Sequence, residues 1–160
     1  MRIAELMTDS VISCSMHEMS HAAARQMWEQ DIGCLPVTDD EGRVAGVVTD
    51  RDIAMAAYTQ GKAPQEIPVS DIMTKGVVTC RPSDTVDTAD RMMAERQVRR
   101  IPIVDDQNRP IGFLSMNDIT RGAATGRTDG VDAREVVRSL SAIGQPRGGP
   151  GRGPHHPSAA

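Results

Sequence analysis

The 160-residue sequence predicts a mixed α/β (α+β) fold built from two copies of one unit, and three observations carry that prediction. The stretch Gly46-Val47-Val48-Thr49-Asp50-Arg51-Asp52-Ile53 reads as a buried strand that runs directly into the first turn of a helix. It returns 66 positions later (112 − 46) as Gly112-Phe113-Leu114-Ser115-Met116-Asn117-Asp118-Ile119, with glycine, a small hydroxyl, aspartate and isoleucine in register. The remaining elements recur at the same offset without an insertion: Val69 to Thr74 follows Ile3 to Thr8, and Val77 to Cys80 follows Val11 to Cys14. A fixed period of this kind means two copies of one supersecondary unit, each too small to bury both faces of its sheet alone, so the copies should pack on each other.

Within a copy the order is strand, helix, strand, strand, helix. Ile3 to Met7 starts a short turn or half-helix, and Val11-Ile12-Ser13-Cys14 follows as a brief strand. Ser15-Met16-His17-Glu18 has capping-box spacing, after which Met19, Ala22, Ala23, Gln26 and Met27 follow one helical face to about Gln30. Gly33 ends that helix. Cys34-Leu35-Pro36-Val37-Thr38 is a strand whose proline predicts an edge or a bulge, and Asp39-Asp40-Glu41-Gly42 turns the chain back as a hairpin. Arg43 to Thr49 is the return strand, Asp50 to about Tyr58 the second helix, and Gly61-Lys62-Ala63-Pro64 its stop. The second copy repeats the helix around Val86, Ala89 and Met93 and keeps register through Ile101-Pro102-Ile103, Asp105-Asp106, Arg109 and Gly112. A last amphipathic segment, Asp132 to Ile143, carries Val136, Val137, Leu140 and Ile143 on one predicted face.

The resulting division is copy one over residues 1–60, a linker over 61–68, copy two over 69–125, a final helix over 132–143 and a tail over 144–160. The tail is Gly, Pro, Ser, Ala, Arg, Gln and His without an apolar period, so it is expected to be disordered: it cannot bury enough surface to offset its ordering entropy. His155 and His156 within it lack cysteine or carboxylate partners and make a weak metal site.

Composition excludes several function classes. The net charge of -4 is modest, with both signs interspersed and no basic run that would track a nucleic-acid backbone. Trp28, Tyr58 and Phe113 are the whole aromatic set, too few for a base-stacking platform. No apolar stretch approaches the roughly 20 residues of a membrane span, and the N-terminus lacks a signal-peptide core, so a cytoplasmic protein is expected. Cys14, Cys34 and Cys80 lack metal-ligand spacing and are expected as buried reduced thiols. Catalysis of the Ser-His-Asp or Cys-His kind needs a positioned base, yet His17 and His21 have Ser83 and Asp87 as repeat equivalents, so no enzyme is expected.

Chemistry concentrates where strand meets helix. Thr49 and Asp52, three apart at a helix start, stand beside free backbone N–H groups and a partial positive charge that suit an anion. A hydroxyl can donate to a phosphate oxygen, and a carboxylate can hold the two hydroxyls of a ribose. The same spacing is also a capping box, in which the two side chains satisfy the helix's own N–H groups, and both readings stand.

A Met-Thr near the start of each copy, a Leu/Ile-Pro-Val/Ile in the middle and a Gly-x-x-Thr/Ser-x-x-Asp-Ile at the end, occurring twice, resemble the cystathionine-beta-synthase (CBS) domain, found in tandem as the Bateman module. The resemblance runs from Ile3 to about Arg121. Val48-Thr49-Asp50-Arg51-Asp52-Ile53 with Gln97-Val98-Arg99-Arg100-Ile101-Pro102 is similar to small stand-alone bacterial CBS-pair proteins, including those of hypoxia and stress responses. The resemblance implies two repeats packed through their sheets around a pseudo-twofold axis, with two clefts that in many members hold AMP, ATP or S-adenosylmethionine. It implies Thr49 and Asp52 for phosphate and ribose at one cleft and Ser115 and Asp118 at the other. Adenine would take backbone near Leu35 and Pro36 or near Ile101 and Pro102, with Val11 and Val77 as apolar wall, and Arg51, Arg99 and Arg100 are candidate phosphate partners. It further implies a regulatory homodimer, often a flat disc of four CBS units, that signals to a separate effector protein; the alternative is a ligand-free dimeric interaction module. Asp50-Arg51 become Met116-Asn117 in the second copy and Gly33-Cys34 become Arg99-Arg100, so the clefts are expected to differ.

Overall fold

The computed structural model describes residues 1–9, 11–126, 128 and 131–145. Its first half contains β1 (Cys14–Ser15), α1 (Ser20–Glu29), β2 (Cys34–Thr38), β3 (Val44–Thr49) and α2 (Asp50–Gln60). Its second half contains α3 (Val69–Ile72), β4 (Thr74–Lys75), α4 (Val86–Arg96), β5 (Arg100–Val104), β6 (Pro110–Ser115), α5 (Met116–Ala124) and α6 (Ala133–Ile143). The hairpins superimpose in register: β2–β3 runs from Cys34↔Thr49 to Thr38↔Val44 with a shift after Val37, and β5–β6 from Arg100↔Ser115 to Val104↔Pro110 with a shift after Ile103. Every one of these positions differs from its counterpart by 66, which makes the halves pseudo-twofold copies.

The leading segment of each repeat is buried in the other repeat. Ile3 is fully buried in one core with Leu114, Met116 and Ile119, and Thr8 bridges to Phe113. Val69 and Met73 are buried in the other core with Leu35, Val37 and Val48, and β4 pairs with β3 at Thr74 and Val47. Glycine is required at each crossing: a Cβ on Gly46 would lie 2.5 Å from the Thr74 carbonyl oxygen, and one on Gly112 would lie 2.7 Å from that of Thr8. The sequence repeat and the packed core are therefore different units.

Several local expectations change. Helix α1 starts at Ser20, because Met19 is held extended by its bridge to Pro68; the Ser15–Glu18 box closes only a turn, with the Ser15 N–H donating to Glu18 Oε1 at 3.1 Å. Met19 accordingly faces outward, 39% exposed. Strand β2 is interior, between β1 and β3. It tolerates proline because the parallel neighbour touches it elsewhere: in the second half Cys80 donates to the Pro102 carbonyl and accepts from the Val104 N–H, so no bond needs the missing donor. The strand expected over Val77–Cys80 contracts to a bridge between Cys80 and Ile103. The face of α6 is rotated from the expected one: Val136 and Ser139 are buried, while Val137 and Leu140 are exposed. Order continues past Ile143, since the Gln97 amide donates to the Gln145 carbonyl at 3.3 Å. The rest of the tail, with His155 and His156, lies outside the described residues.

Candidate functional site

Each hairpin delivers its last residue, Thr49 or Ser115, as the N-cap of the following helix. The extended backbone of the N-cap (φ -118 and -113) ends the strand, and its side chain takes the first helical N–H. At the first junction Asp52 N–H donates to Thr49 Oγ1 at 3.1 Å, and Asp52 Oδ2 accepts from Thr49 N–H at 2.9 Å and from Thr49 Oγ1 at 2.8 Å. The second is built alike, with Ser115 N–H and Oγ donating to Asp118 Oδ2 at 2.9 and 2.5 Å. Both sites are thus complete capping boxes, each using one carboxylate oxygen.

The second carboxylate oxygen separates them. Asp118 Oδ1 accepts from the Arg121 guanidinium at 2.5 Å, and Asp118 is buried. The counterpart of Arg121 is Met55, and Asp52 Oδ1 has no such partner among the described residues. Arg51, exposed one residue before Asp52, has neutral Asn117 as its counterpart. Sequence reasoning missed Arg121; its spacing three residues after Asp118 on a helix was the available signal.

Among the other predicted residues, Leu35 and Ile101 have fully buried side chains within the two cores, so only their backbones can meet a ligand. Pro36 and Pro102 are buried too, and Val11 and Val77 are half-buried. Arg99 is exposed and its carbonyl takes the Met116 N–H. Arg100 crosses between the halves. Burial pushes the Cys34 thiol up to about 11, opposed by the Arg100 guanidinium beside it, and Cys34 is the register partner of Thr49. The structure therefore brings Arg100, from the second repeat, to the first junction. Burial likewise raises Cys14 to about 12 and Cys80 to about 11, so all three cysteines are protonated, buried thiols.

A cavity of about 330 Å³ at the second junction is lined by Ser115, Asn117, Thr120 and Arg121. A larger one of about 440 Å³ lies on the outer face of α1 and α2 and includes Asp50 but neither Thr49 nor Asp52. Among the described residues no group of three His, Cys, Asp or Glu is arranged to hold a metal ion, and no helix is long and apolar enough to cross a membrane.

Tandem α/β units that exchange leading segments and each end in a capped strand–helix junction define a two-repeat module. The chain belongs to the CBS domain family, whose model matches residues 3–58 and 69–124. The CBS domain-containing protein YhcV of Bacillus subtilis is 35% identical over 73% of this chain and 81% of its own length. Hypoxic response protein 1 of Mycobacterium tuberculosis is 31% identical over the same shares. Protein MK0525 of Methanopyrus kandleri is 33% identical over 73% of this chain, which spans 60% of that protein's length. Among solved structures, the CBS domain pair of protein MJ0100 in complex with 5'-methylthioadenosine and S-adenosyl-L-methionine matches with a TM-score of 0.71 and 25% identity, covering 79% of this chain and 98% of that one. CBSX2 in complex with AMP matches with a TM-score of 0.67 and 26% identity, covering 79% and 98%.

Proposed function

We propose that the chain is a regulatory, non-catalytic CBS pair of the cytoplasm that senses an adenosine-containing ligand and passes the signal to a separate effector protein. The observation that carries this reading is the Thr49–Asp52 junction, a helix N-terminus whose Asp52 Oδ1 has no partner among the described residues, with Arg51 next in sequence and Arg100 beside Cys34, the register partner of Thr49. Helix N–H groups and arginines suit phosphate, and the carboxylate suits ribose hydroxyls. Its relatives in complex with AMP and with S-adenosylmethionine support that ligand class. The first cleft binds the phosphorylated ligand more tightly than the second, because Arg121 already occupies Asp118. The working unit is a homodimer. The similarity to hypoxic response protein 1 favours a role in a stress response.

One observation favours the ligand-free reading: both hydroxyl–aspartate pairs already serve as helix caps. Calorimetric titration of AMP, ATP and S-adenosylmethionine into the wild type, Asp52→Ala and Asp118→Ala separates the two. Loss of heat in Asp52→Ala supports the sensor. No heat from any ligand with the wild type leaves the interaction module.

A further inference from the structure

Helix α6 lies beyond the second repeat, whose family match ends at residue 124. It packs on α4 and α5, the counterparts of α1 and α2. Val131 and Val136 enter the second core, and the Gln97 amide donates to the Ala142 carbonyl at 3.2 Å. The central fastening is polar: Ser139 Oγ donates to Asp90 Oδ2 at 2.6 Å, and both residues are buried. Asp90 has Ala24 as its counterpart (90 − 66), so this carboxylate goes with the helix it holds and not with the repeat.

The surroundings of Asp90 do not suit a charge. Its Oδ1 is buried without a hydrogen-bond partner among the described residues. The charged groups that act on it are both acidic, Glu135 from α6 and Asp87 one turn earlier on α4, and Asp87 is itself engaged by Arg91 at 2.9 Å. The elements packed against it bring no cation: Arg134 and Arg138 of α6 are exposed, Arg121 of α5 closes on Asp118, and Arg100 of β5 lies beside Cys34. An ionised carboxylate there exchanges water for one hydroxyl and meets two like charges, whereas the protonated form is spared most of that penalty.

We propose that α6 is a proton-dependent latch, closed firmly over α4 and α5 when Asp90 is protonated and loosened when Asp90 ionises. Burial, with Glu135 and Asp87 in support and the Ser139 hydroxyl opposing, raises the docked Asp90 carboxyl above its ordinary 3.8. Release returns the group to that ordinary value. Docking is therefore favoured most below it, and the advantage is lost as pH rises through the docked value. Loosening uncovers a helical face whose counterpart in the first repeat stands open as the 440 Å³ groove. Acid thus makes the two faces most unequal, and neutral pH brings them closer. The latch depends on neither cleft holding a ligand.

Hydrogen exchange read by mass spectrometry on the full chain tests it, with protection corrected for the intrinsic pH dependence of exchange. In the wild type the protection of 133–143, taken relative to that of 20–29 in α1, should fall several-fold from pH 4 to pH 7, by at most about tenfold per pH unit for a single titrating group. Asp90→Asn can still bond Ser139 and carries no charge, so its ratio should stay high and flat. Ser139→Ala removes the donor that the ionised form needs most, so its loss of protection should be larger at pH 7 than at pH 4. Should Ser139→Ala fail to fold, the isosteric Asp90→Asn decides by itself. A flat ratio in the wild type, a fall that Asp90→Asn repeats, or no protection of 133–143 at pH 4 overturns the latch.

Discussion

The first and second strand–helix junctions share a backbone, a hydrogen-bond pattern and a register, yet they present different surfaces. At the first, Asp52 Oδ1 has no partner among the described residues, Arg51 precedes Asp52 in sequence, and Arg100 of the other repeat lies beside Cys34. At the second, Arg121 closes on Asp118 and Asn117 carries no charge. The helical faces behind them differ in the same sense, one open and one covered by α6. The lesson is that the fold constrains the cap and the core, where both repeats agree, and leaves the flanking positions free to diverge. Difference between the repeats is therefore a better pointer to function than identity, because identity is already explained by folding.

The largest expected effect tests whether the halves fold as one. Ile3→Ala removes a fully buried side chain from the second repeat's core, although it lies three residues from the start of the chain. It should cost about 2 to 5 kcal/mol in urea denaturation. A loss below about 1 kcal/mol would mean that the leading segment is not part of that core.

Next in size is the ligand response. AMP at a hundredfold excess over its dissociation constant should stabilise the wild type by about 2.7 kcal/mol, read by thermal shift. Asp52→Ala should abolish most of that gain and Asp118→Ala little of it, whereas equal losses would erase the contrast between the junctions. Without ligand, each variant should lose about 0.5 to 2 kcal/mol as its capping box opens.

A smaller effect should come from making the second junction resemble the first. Arg121→Met removes an ion pair whose arginine is largely exposed, worth at most about 1 kcal/mol. It frees Asp118 Oδ1 and should raise AMP affinity at the second cleft by a few-fold in calorimetry. Unchanged or weaker binding would show that Arg121 is itself a ligand contact.

The last prediction concerns the covered helical face and is a matter of pH. Burial raises the Asp90 carboxyl above its ordinary value of 3.8, with Glu135 and Asp87 acting in the same direction and the Ser139 hydroxyl opposing them. The folded state thus favours the protonated form. The stability this brings is complete below the ordinary value and is lost as pH rises through the folded one. Asp90→Asn keeps an acceptor for Ser139 without a charge, so its advantage over wild type in melting temperature should grow from pH 3 to pH 7. A constant difference across that range would remove Asp90 from the pH dependence.

Much of the fold was legible because it follows from local rules. An apolar run ending in a hydroxyl, repeated at a fixed offset, marked β3 and β6, and hydroxyl–aspartate spacing marked the starts of α2 and α5 at the positions where the structure has them. The start of α1 was not, because a long-range bridge between Met19 and Pro68 overrides a local capping signal. At the candidate site the aspartates were legible. Arg121 was not, because its role depends on which rotamer of a long side chain reaches back along α5.

By itself the sequence determined that one unit occurs twice, where its two hairpins and the helices after them lie, and which hydroxyls and carboxylates end each hairpin. These are consequences of periodicity and of near-neighbour hydrogen bonding, which act over a few residues. Only the tertiary structure decided that Ile3 belongs to the second core and Val69 to the first, that Arg100 reaches Cys34, and that α6 turns Ser139 rather than Val137 inward. Those choices are set by buried area and by the need to satisfy a buried carboxylate, quantities that exist only once distant segments meet.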